Sequence, residues 1–363
     1  MKPLPFWNPL PEYEEIATEV HTAISRVLSS GTLILGPEVA VFEKTFAKFV
    51  ESRYGIGVGN GTDAIILALK ALGVARGDEV ITAANTAIPT VAAIIEAGAS
   101  PRLVDVTPDT LLMNPTKLQS CVTKRTRCII PVHLYGQYCD MNAIIKIARS
   151  KKLFILEDFA QATGVANVRG DAAAFSFYPT KIIGAYGDGG MITINNANLA
   201  KRARSLRMYG TEGSYIAKIE GGINSRLDEL HAAILSIKLK NIKKWIKERQ
   251  RLARRYNIGL SHTPFILPVL SSSRLDSHVF HLYVVRHRQR DKIRKFLGDR
   301  GIGTAIHYPV PIHLMPAYKN LGYQKGDFPV AEEAAKTIFS LPLYPGLTDA
   351  QQDRIIALLR LYF

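Results

Sequence analysis

A lysine in a turn rich in proline and glycine is the first residue with a chemical interpretation. Lys181 stands in the stretch F-S-F-Y-P-T-K-I-I-G-A-Y-G-D-G-G, directly after a short apolar strand pattern. A lysine on such a turn can project into a cleft, lose its proton there and attack an aldehyde. Ser176, on the preceding strand, has a hydroxyl suited to a phosphate oxygen. The alternative is a solvated loop lysine, so Lys181 needs partners before chemistry is assigned to it.

An aspartate at the end of an apolar strand is the second candidate. Asp158 closes the stretch L-F-I-L-E-D, where a carboxylate is costly to bury without a cationic partner. A protonated pyridine nitrogen is such a partner, and the pairing keeps the ring an effective electron sink. The alternative is a strand-end aspartate that caps the following turn.

A glycine-rich helix start is the third candidate. The stretch G-N-G-T-D-A runs from Gly59 to Ala64 and leads directly into an apolar helical pattern. A helix start offers free N–H groups and the positive end of the helix dipole, so it can hold a phosphate with help from the Thr62 hydroxyl. The alternative is a plain loop in which Thr62 or Asp63 is the N-cap.

Alternating helical and strand patterns position these three candidates. Helical patterns separate strands that carry few polar residues: E-V-I-T-A, R-L-V-D-V, C-I-I-P-V-H-L, L-F-I-L-E-D, A-A-A-F-S-F and M-I-T-I. This order predicts an α/β fold with a parallel or mixed sheet covered on both faces. Binding sites in such sheets lie beyond the carboxyl ends of the strands, which is where the candidates stand.

The pattern changes near residue 260. A long helical stretch from Leu227 to Gly259 is followed by the strand pattern S-H-V-F-H-L-Y-V-V-R, the helical pattern D-K-I-R-K-F-L-G-D-R and a last helix around Ile355 to Leu361. The loop H-Y-P-V-P-I-H-L-M-P-A-Y carries three prolines and is predicted to be irregular. We therefore predict a large α/β domain over residues 1–259 and a small α+β domain over residues 260–363.

Composition narrows the class of protein. The chain has 363 residues and a net charge of +15, much of it in the run from Lys238 to Arg255, whose apolar spacing predicts an amphipathic helix with a solvated basic face. No nucleic-acid motif accompanies this charge, so neither nucleic acid nor membrane insertion is expected. No stretch reaches the roughly 18 apolar residues of a membrane span. The three cysteines form no C-x-x-C, and the first residues do not read as a signal peptide, so a cytoplasmic protein without metal is expected.

Seven motifs in order resemble the DegT/DnrJ/EryC1/StrS family of sugar aminotransferases. The resemblance runs from S-G-T-L-I-L-G-P-E-V near the start to S-L-P-L-Y-P-G-L near the end. The motifs are G-N-G-T-D-A, G-D-E-V-I-T-A-A-N-T, P-V-H-L-Y-G-Q, E-D-F-A-Q-A, S-F-Y-P-T-K-I-I-G-A-Y-G-D-G-G, N-S-R-L-D-E-L-H-A-A and G-T-A-I-H-Y-P-V-P-I-H. The resemblance implies fold type I and the cofactor pyridoxal 5'-phosphate (PLP), with PMP as its aminated form.

The resemblance also implies roles for cofactor-binding residues. Lys181 would hold PLP as a Schiff base and shuttle a proton, Asp158 would pair with the pyridinium nitrogen, and Gln161 would approach the ring oxygen. The residues implied to bind the phosphate are Gly61, Thr62 and Ser176.

Further residues are implied at the dimer contact and in the substrate cleft. Family members are dimers, and the resemblance implies that Asn224 reaches the phosphate of the neighbouring subunit. His307, Tyr308 and His313 would line the sugar-nucleotide cleft, with a surface loop or packing role as their alternative.

Three departures from the family pattern concern the walls of the site. Ala87 stands where many members have an aromatic that stacks on the ring, which leaves only the aliphatic Ile88 nearby. The segment between Gln161 and Asp171 is shorter than usual, and Ile182 and Ile183 follow the lysine where Asn-Leu or Pro-Leu is common. No stacking residue is therefore assigned.

A lysine rather than a histidine at position 181 favours amine transfer over sugar dehydration in this family. The resemblance implies L-glutamate as the donor and the C3 ketone of a nucleotide-linked sugar as the acceptor, with a dTDP-3-keto-6-deoxyhexose as the expected substrate. Amination at C4, a UDP-linked keto sugar, or a PLP-binding regulator are the alternatives. A nicotinamide-dependent dehydrogenase is disfavoured because the first βα turn lacks G-x-G-x-x-G.

Overall fold

Seven strands of five residues each form the central sheet of the computed structural model, which describes residues 3–213, 215–269 and 277–363. Their bounds are β1 Tyr54–Val58, β2 Glu79–Ala83, β3 Ser100–Val104, β4 Thr126–Ile130, β5 Phe154–Asp158, β6 Ala172–Ser176 and β7 Gly190–Ile194. The strand order is β1-β7-β6-β5-β4-β2-β3. Only β7 runs antiparallel to its neighbours, so the predicted mixed, mostly parallel sheet is confirmed.

Helices flank this sheet and continue beyond it. Their bounds are α1 Leu10–Ser30, α2 Pro37–Phe49, α3 Gly61–Ala71, α4 Ile88–Glu96, α5 Pro115–Cys121, α6 Met141–Ser150, α7 Ala197–Leu206, α8 Glu229–Leu260, α9 Arg290–Gly298, α10 Pro329–Thr337 and α11 Asp349–Leu361. Apart from the partly buried Phe154, the apolar residues of β2, β4 and β5 are buried between the layers, because strands covered on both faces need no polar side.

The carboxyl ends of neighbouring parallel strands bring two predicted residues together. Asp158 ends β5, Ser176 ends β6, and these strands pair in parallel with Asp158 opposite Ala174. Because parallel strands end at the same edge, the side chains beyond them share one side of the sheet.

A second, two-stranded sheet lies in the last hundred residues. Strands β8 Tyr283–Arg286 and β9 Ile338–Leu341 pair antiparallel. With α9, α11 and the end of α8 they bury an apolar cluster that includes Tyr256, Phe339 and Leu359. The division of the chain at residue 260 stays a prediction.

Two strand predictions need correction. The pattern S-H-V-F-H-L-Y-V-V-R is a strand only over Tyr283–Arg286, since Phe280 has a positive φ of 50° and the rings of His278 and Phe280 stack at 3.8 Å. The strand predicted at R-L-V-D-V begins earlier, at Ser100, and ends at Val104. In both places residue type located the strand, while backbone pairing set its ends.

The basic run lies within α8, but its basic face is not wholly solvated as predicted. Lys238 and Arg249 are buried, 3% and 1% exposed. The Arg249 guanidinium donates to the carbonyl oxygen of Leu343 at 3.1 Å and lies 3.8 Å from the Glu12 carboxylate. Sequence spacing could not reveal these carbonyl and carboxylate partners, because they come from distant segments.

Among the described residues, the search for a helix both long and apolar enough to cross a bilayer finds none.

Candidate active site

A cavity of about 930 Å³ opens at the carboxyl ends of β5 and β6. Most of the residues predicted from the sequence line it: Gly61, Thr62, Asp158, Gln161, Ser176, Lys181 and Tyr308. The cavity thus brings the acid Asp158 and the amine Lys181 together with the helix start at Gly61, which lies about a hundred residues earlier in the chain.

The start of α3 forms one wall of this cavity. Asn60 is the N-cap, and its side chain accepts from the backbone N–H of Asp63, so the alternative of Thr62 or Asp63 as N-cap is wrong. The N–H groups of Gly61 and Thr62 have no helical partner and are free to bind an anion. A Cβ on Gly61 would lie 2.7 Å from the Ser176 Cβ, so only glycine lets the helix start approach that hydroxyl.

Replacing Gly61 by alanine is expected to weaken binding of a phosphate group roughly tenfold or more, because the helix start must shift away from Ser176. The measurement is the dissociation constant of PLP for the apoprotein, with thermal unfolding as a check on folding. Gly298→Ala is the matched control, since a Cβ there meets nothing within 4 Å. Equal affinities for the two variants would contradict the phosphate assignment.

Asp158 is held at the floor of the cavity by two hydrogen-bond donors. It is 3% exposed, and burial raises the pKa of its carboxyl. The backbone N–H of Ala160 donates to Oδ1 at 3.0 Å and the Thr90 hydroxyl donates to Oδ2 at 3.0 Å. These bonds, and the charge of Lys181, act in the opposite direction and lower the pKa. On balance the pKa of Asp158 stays raised, so a cationic ring nitrogen in the cavity would supply the opposite charge that a buried carboxylate needs here.

Lys181 lies in the same cavity as this carboxylate. Its side chain is half-buried, and the surrounding protein disfavours the ammonium and lowers its pKa to about 8. The Asp158 charge only partly offsets that effect. A lysine with such a pKa is a far better nucleophile near neutral pH than a solvated one.

The pH dependence of covalent PLP attachment follows from this pKa. Because the neutral amine attacks, the attachment rate should rise with pH and level off above pH of about 8. It is measured by stopped-flow absorbance after mixing apoprotein with PLP across a pH series. A rate that keeps climbing toward the usual lysine pKa of 10.5 would show that Lys181 is not desolvated.

Gln161 joins the cavity floor to the loop that contains Tyr308. Its Oε1 accepts from the backbone N–H of Tyr135 at 2.7 Å, and its Nε2 donates to the Tyr308 hydroxyl at 3.1 Å. Burial raises the pKa of Tyr308 to about 12, so this hydroxyl is neutral and can donate a hydrogen bond into the cavity.

Neither predicted histidine is among the residues that line this cavity, and their role toward the substrate stays a prediction. His307 borders a separate cavity of about 80 Å³, and its Nδ1 lies 2.9 Å from the Ser340 hydroxyl. His313 is 2% exposed, with Nε2 3.0 Å from Glu332, because the 3₁₀ turn at Ile312–Leu314 directs the ring toward α10. The packing role is the one that fits His313.

Asn224 does not line the cavity of its own chain. It is exposed and pairs with Met208 through an isolated bridge. The neighbouring Ser225 hydroxyl donates to Asp63 at 2.6 Å and accepts from the N–H of Gly59, which places this segment beside the start of α3. Contact with a second subunit's cofactor stays a prediction.

The structure adds lining residues that sequence reasoning missed. Thr90, Tyr178 and Asp188 all border the cavity. Thr90 is a buried threonine in the first turn of the apolar helix α4. The sequence could have indicated it only if the face of this helix that points to the cavity had been known. Ala87 and Ile88 also line the cavity, and Ile182 and Ile183 pack into an apolar cluster away from it.

A groove of about 1030 Å³ lies elsewhere, between α1, α2 and α8. It contains none of the predicted site residues. Within the described ranges, no group of three or more His, Cys, Asp and Glu side chains could hold a metal ion.

Comparison with known proteins places the chain among aminotransferases. The model of the DegT/DnrJ/EryC1/StrS aminotransferase family matches residues 14–360. A relative from Micromonospora megalomicea subsp. nigra, named dTDP-3-amino-3,4,6-trideoxy-alpha-D-glucose transaminase, is 45% identical over 98% of this chain and 97% of the relative. A relative from Geobacillus stearothermophilus, named pleiotropic regulatory protein, is 42% identical over 95% of this chain and 94% of the relative.

A solved structure shares the whole fold. The crystal structure of S. venezuelae DesV in complex with a ketimine intermediate superposes with a TM-score of 0.96 and 41% identity, covering 100% of this chain and 99% of that chain.

Proposed function

The chain belongs to the DegT/DnrJ/EryC1/StrS aminotransferase family, and from that premise we propose that it aminates the C3 ketone of a dTDP-linked 3-keto-6-deoxyhexose with L-glutamate as donor. The observation that carries this proposal is the single cavity that holds Lys181, Asp158 and the start of α3. A relative named as a transaminase of a dTDP-3-amino sugar supports the choice of C3 and of dTDP.

The cofactor is pyridoxal 5'-phosphate, and the residues of the cavity fit it. The free N–H groups at Gly61 and Thr62, with the Ser176 hydroxyl, match the needs of a phosphate. The close approach of Gly61 to Ser176 leaves a cradle that a Cβ would fill. Asp158 supplies the buried negative charge that a ring nitrogen requires, and Gln161 lies on the same floor.

Each residue has a separate task in the reaction we propose. When bound, PLP supplies the electron sink and the carbonyl carbon that let an amino group move from donor to acceptor. Lys181 holds the cofactor and, once released, carries a proton to and from the substrate carbon on its Nζ. Asp158 keeps a negative charge against the ring nitrogen. Tyr308 donates its hydroxyl proton toward substrate in the cleft.

The assembly we propose is a homodimer in which Asn224 of each subunit reaches the partner's cofactor. The exposure of Asn224 beside the start of α3 supports this arrangement. We place the enzyme in the cytoplasm, in the synthesis of amino sugars for lipopolysaccharide or other glycans.

A regulatory role is the second candidate, because one relative is named a pleiotropic regulatory protein. Amination at C4 or of a UDP-linked keto sugar is the alternative within catalysis.

Visible absorbance and product assays test the proposal together. The purified protein with PLP should show a yellow band that shifts on addition of L-glutamate. Glutamate consumption should then be followed with dTDP-linked 3-keto and 4-keto sugars and with a UDP-linked keto sugar. Turnover fastest with a dTDP-3-keto-6-deoxyhexose supports the proposal. A glutamate-dependent shift without turnover of any keto sugar would favour the regulator.

A further inference from the structure

Two buried threonines form a hydrogen-bonded chain behind Asp158. Thr86 lies in the turn before α4 and Thr90 in its first turn, and both are 1% exposed. The Thr86 hydroxyl donates to the Thr90 hydroxyl at 3.0 Å, and Thr90 donates to Asp158 Oδ2 at 3.0 Å. The chain therefore ends on the oxygen of the carboxylate opposite the one that accepts from Ala160.

The chain has a direction that an ionised Asp158 imposes. A hydroxyl has one proton to donate, while an ionised carboxylate can only accept. Thr90 must therefore donate its proton to Asp158, and its oxygen is then free to accept the proton of the Thr86 hydroxyl. Every hydroxyl proton in the chain then has an acceptor.

A protonated Asp158 would leave this chain unsatisfied. A proton on Oδ2 would donate to Thr90, which would turn its own proton toward Thr86. In the part of the chain that the structure describes, the Thr86 hydroxyl has no other acceptor, so its proton would be buried without a partner. Because an unsatisfied buried donor is unfavourable, the chain disfavours protonation of Asp158 at this oxygen.

Few charged side chains near Asp158 add to the influence of the threonine chain on its protonation. Across residues 3–213, 215–269 and 277–363, Asp158 makes no ion pair with a basic side chain within 4.0 Å. The titratable groups that face it are Lys181 beyond β6, His133 beyond β4, Cys139 and Tyr308. From α4 the Thr90 hydroxyl faces Asp158, while Glu96, the titratable residue of this helix, is exposed at its other end.

We propose that Thr86 and Thr90 are positioning residues for the transamination. Their hydrogen bonds, both directed toward Asp158, hold its carboxylate ionised and fixed toward the cofactor's ring nitrogen. The inference rests on the proposed function, since it assumes that Asp158 meets that nitrogen. Thr90 borders the cavity and Thr86 is not among its lining residues, and both act on the ring nitrogen through Asp158.

The test compares PLP with 1-deaza-PLP, which lacks the ring nitrogen. Thr90→Val keeps the shape of the side chain but removes the hydroxyl, and should weaken PLP binding on the order of tenfold. Thr86→Val should weaken it by a smaller factor, and Thr90→Ser should restore wild-type affinity. With 1-deaza-PLP, Thr90→Val and the wild type should bind equally, because the analogue has no nitrogen for Asp158 to meet.

Thr82→Val is the matched control. Thr82 is equally buried, but its hydroxyl donates to the neutral carbonyl of Ile130 at 3.1 Å, so PLP affinity should not change. The inference is overturned if Thr90→Val keeps the wild-type preference for PLP over 1-deaza-PLP, or if Thr90→Ser is as damaged as Thr90→Val. A wild type that binds PLP and 1-deaza-PLP equally would instead overturn the role of Asp158 in the proposed function, and with it the role of the two threonines.

Discussion

Replacing Lys181 by alanine is expected to lower kcat/KM for amine transfer by roughly 10⁴-fold or more, because one side chain both holds the cofactor and moves the proton. The cavity contains no second amine, as Lys181 is its only lysine among the described lining residues. Sodium borohydride followed by mass spectrometry measures the covalent link directly. The wild-type protein should retain the reduced cofactor on the peptide that contains Lys181, and the variant should retain none.

The control for this variant is an exposed lysine on α8. Lys243→Ala removes the same functional group far from the cavity and should leave both covalent labelling and kcat/KM within about twofold of wild type. If Lys181→Ala keeps its turnover and another lysine retains the reduced cofactor, that lysine and not Lys181 is the nucleophile.

Replacing Asp158 by asparagine is expected to produce the second largest loss, roughly 10²- to 5 × 10³-fold in PLP affinity and in kcat. Asparagine keeps the shape, but its single carbonyl oxygen can accept from only one of Ala160 and Thr90, and it brings no negative charge to the ring nitrogen. Removing one partner of a buried charge pair costs about 3–5 kcal/mol, which sets this range. The dissociation constant of PLP and single-turnover rates with glutamate measure the two losses separately.

Two further variants show whether the loss in Asp158→Asn comes from the missing charge at this position. Asp299→Asn, at an exposed aspartate near the end of α9, controls for the loss of one negative charge and should change neither value. Asp158→Glu keeps the charge but lengthens the side chain, and should recover part of the affinity. If Asp158→Asn behaves like wild type, the carboxylate does not meet a cationic nitrogen.

Residue type and order predicted the architecture well. Apolar strands without polar alternation identified a sheet covered on both faces, and strand-end residues such as Asp158 pointed to its carboxyl edge. These features are local, because burial on both faces of a strand demands apolar side chains whatever the rest of the chain does. The strand predicted over residues 277–286 was too long, because apolar content does not reveal where backbone pairing starts.

The sequence by itself determined the reagents of the site. Lysine at 181 supplies an amine nucleophile, aspartate at 158 supplies a carboxylate, and glycine at 61 permits a close backbone approach. Their chemistry belongs to the side chains and does not depend on the surrounding fold.

Only the tertiary structure decided how these reagents are tuned and which neighbours take part. Burial lowers the pKa of Lys181 to about 8, and hydrogen bonds from Thr90 and Ala160 oppose the burial of Asp158. It also places the His313 ring against Glu332, although the sequence suggested both histidines of that loop as residues of the cleft. Desolvation and hydrogen bonding depend on atoms brought close from distant positions in the chain, and no local pattern encodes those distances.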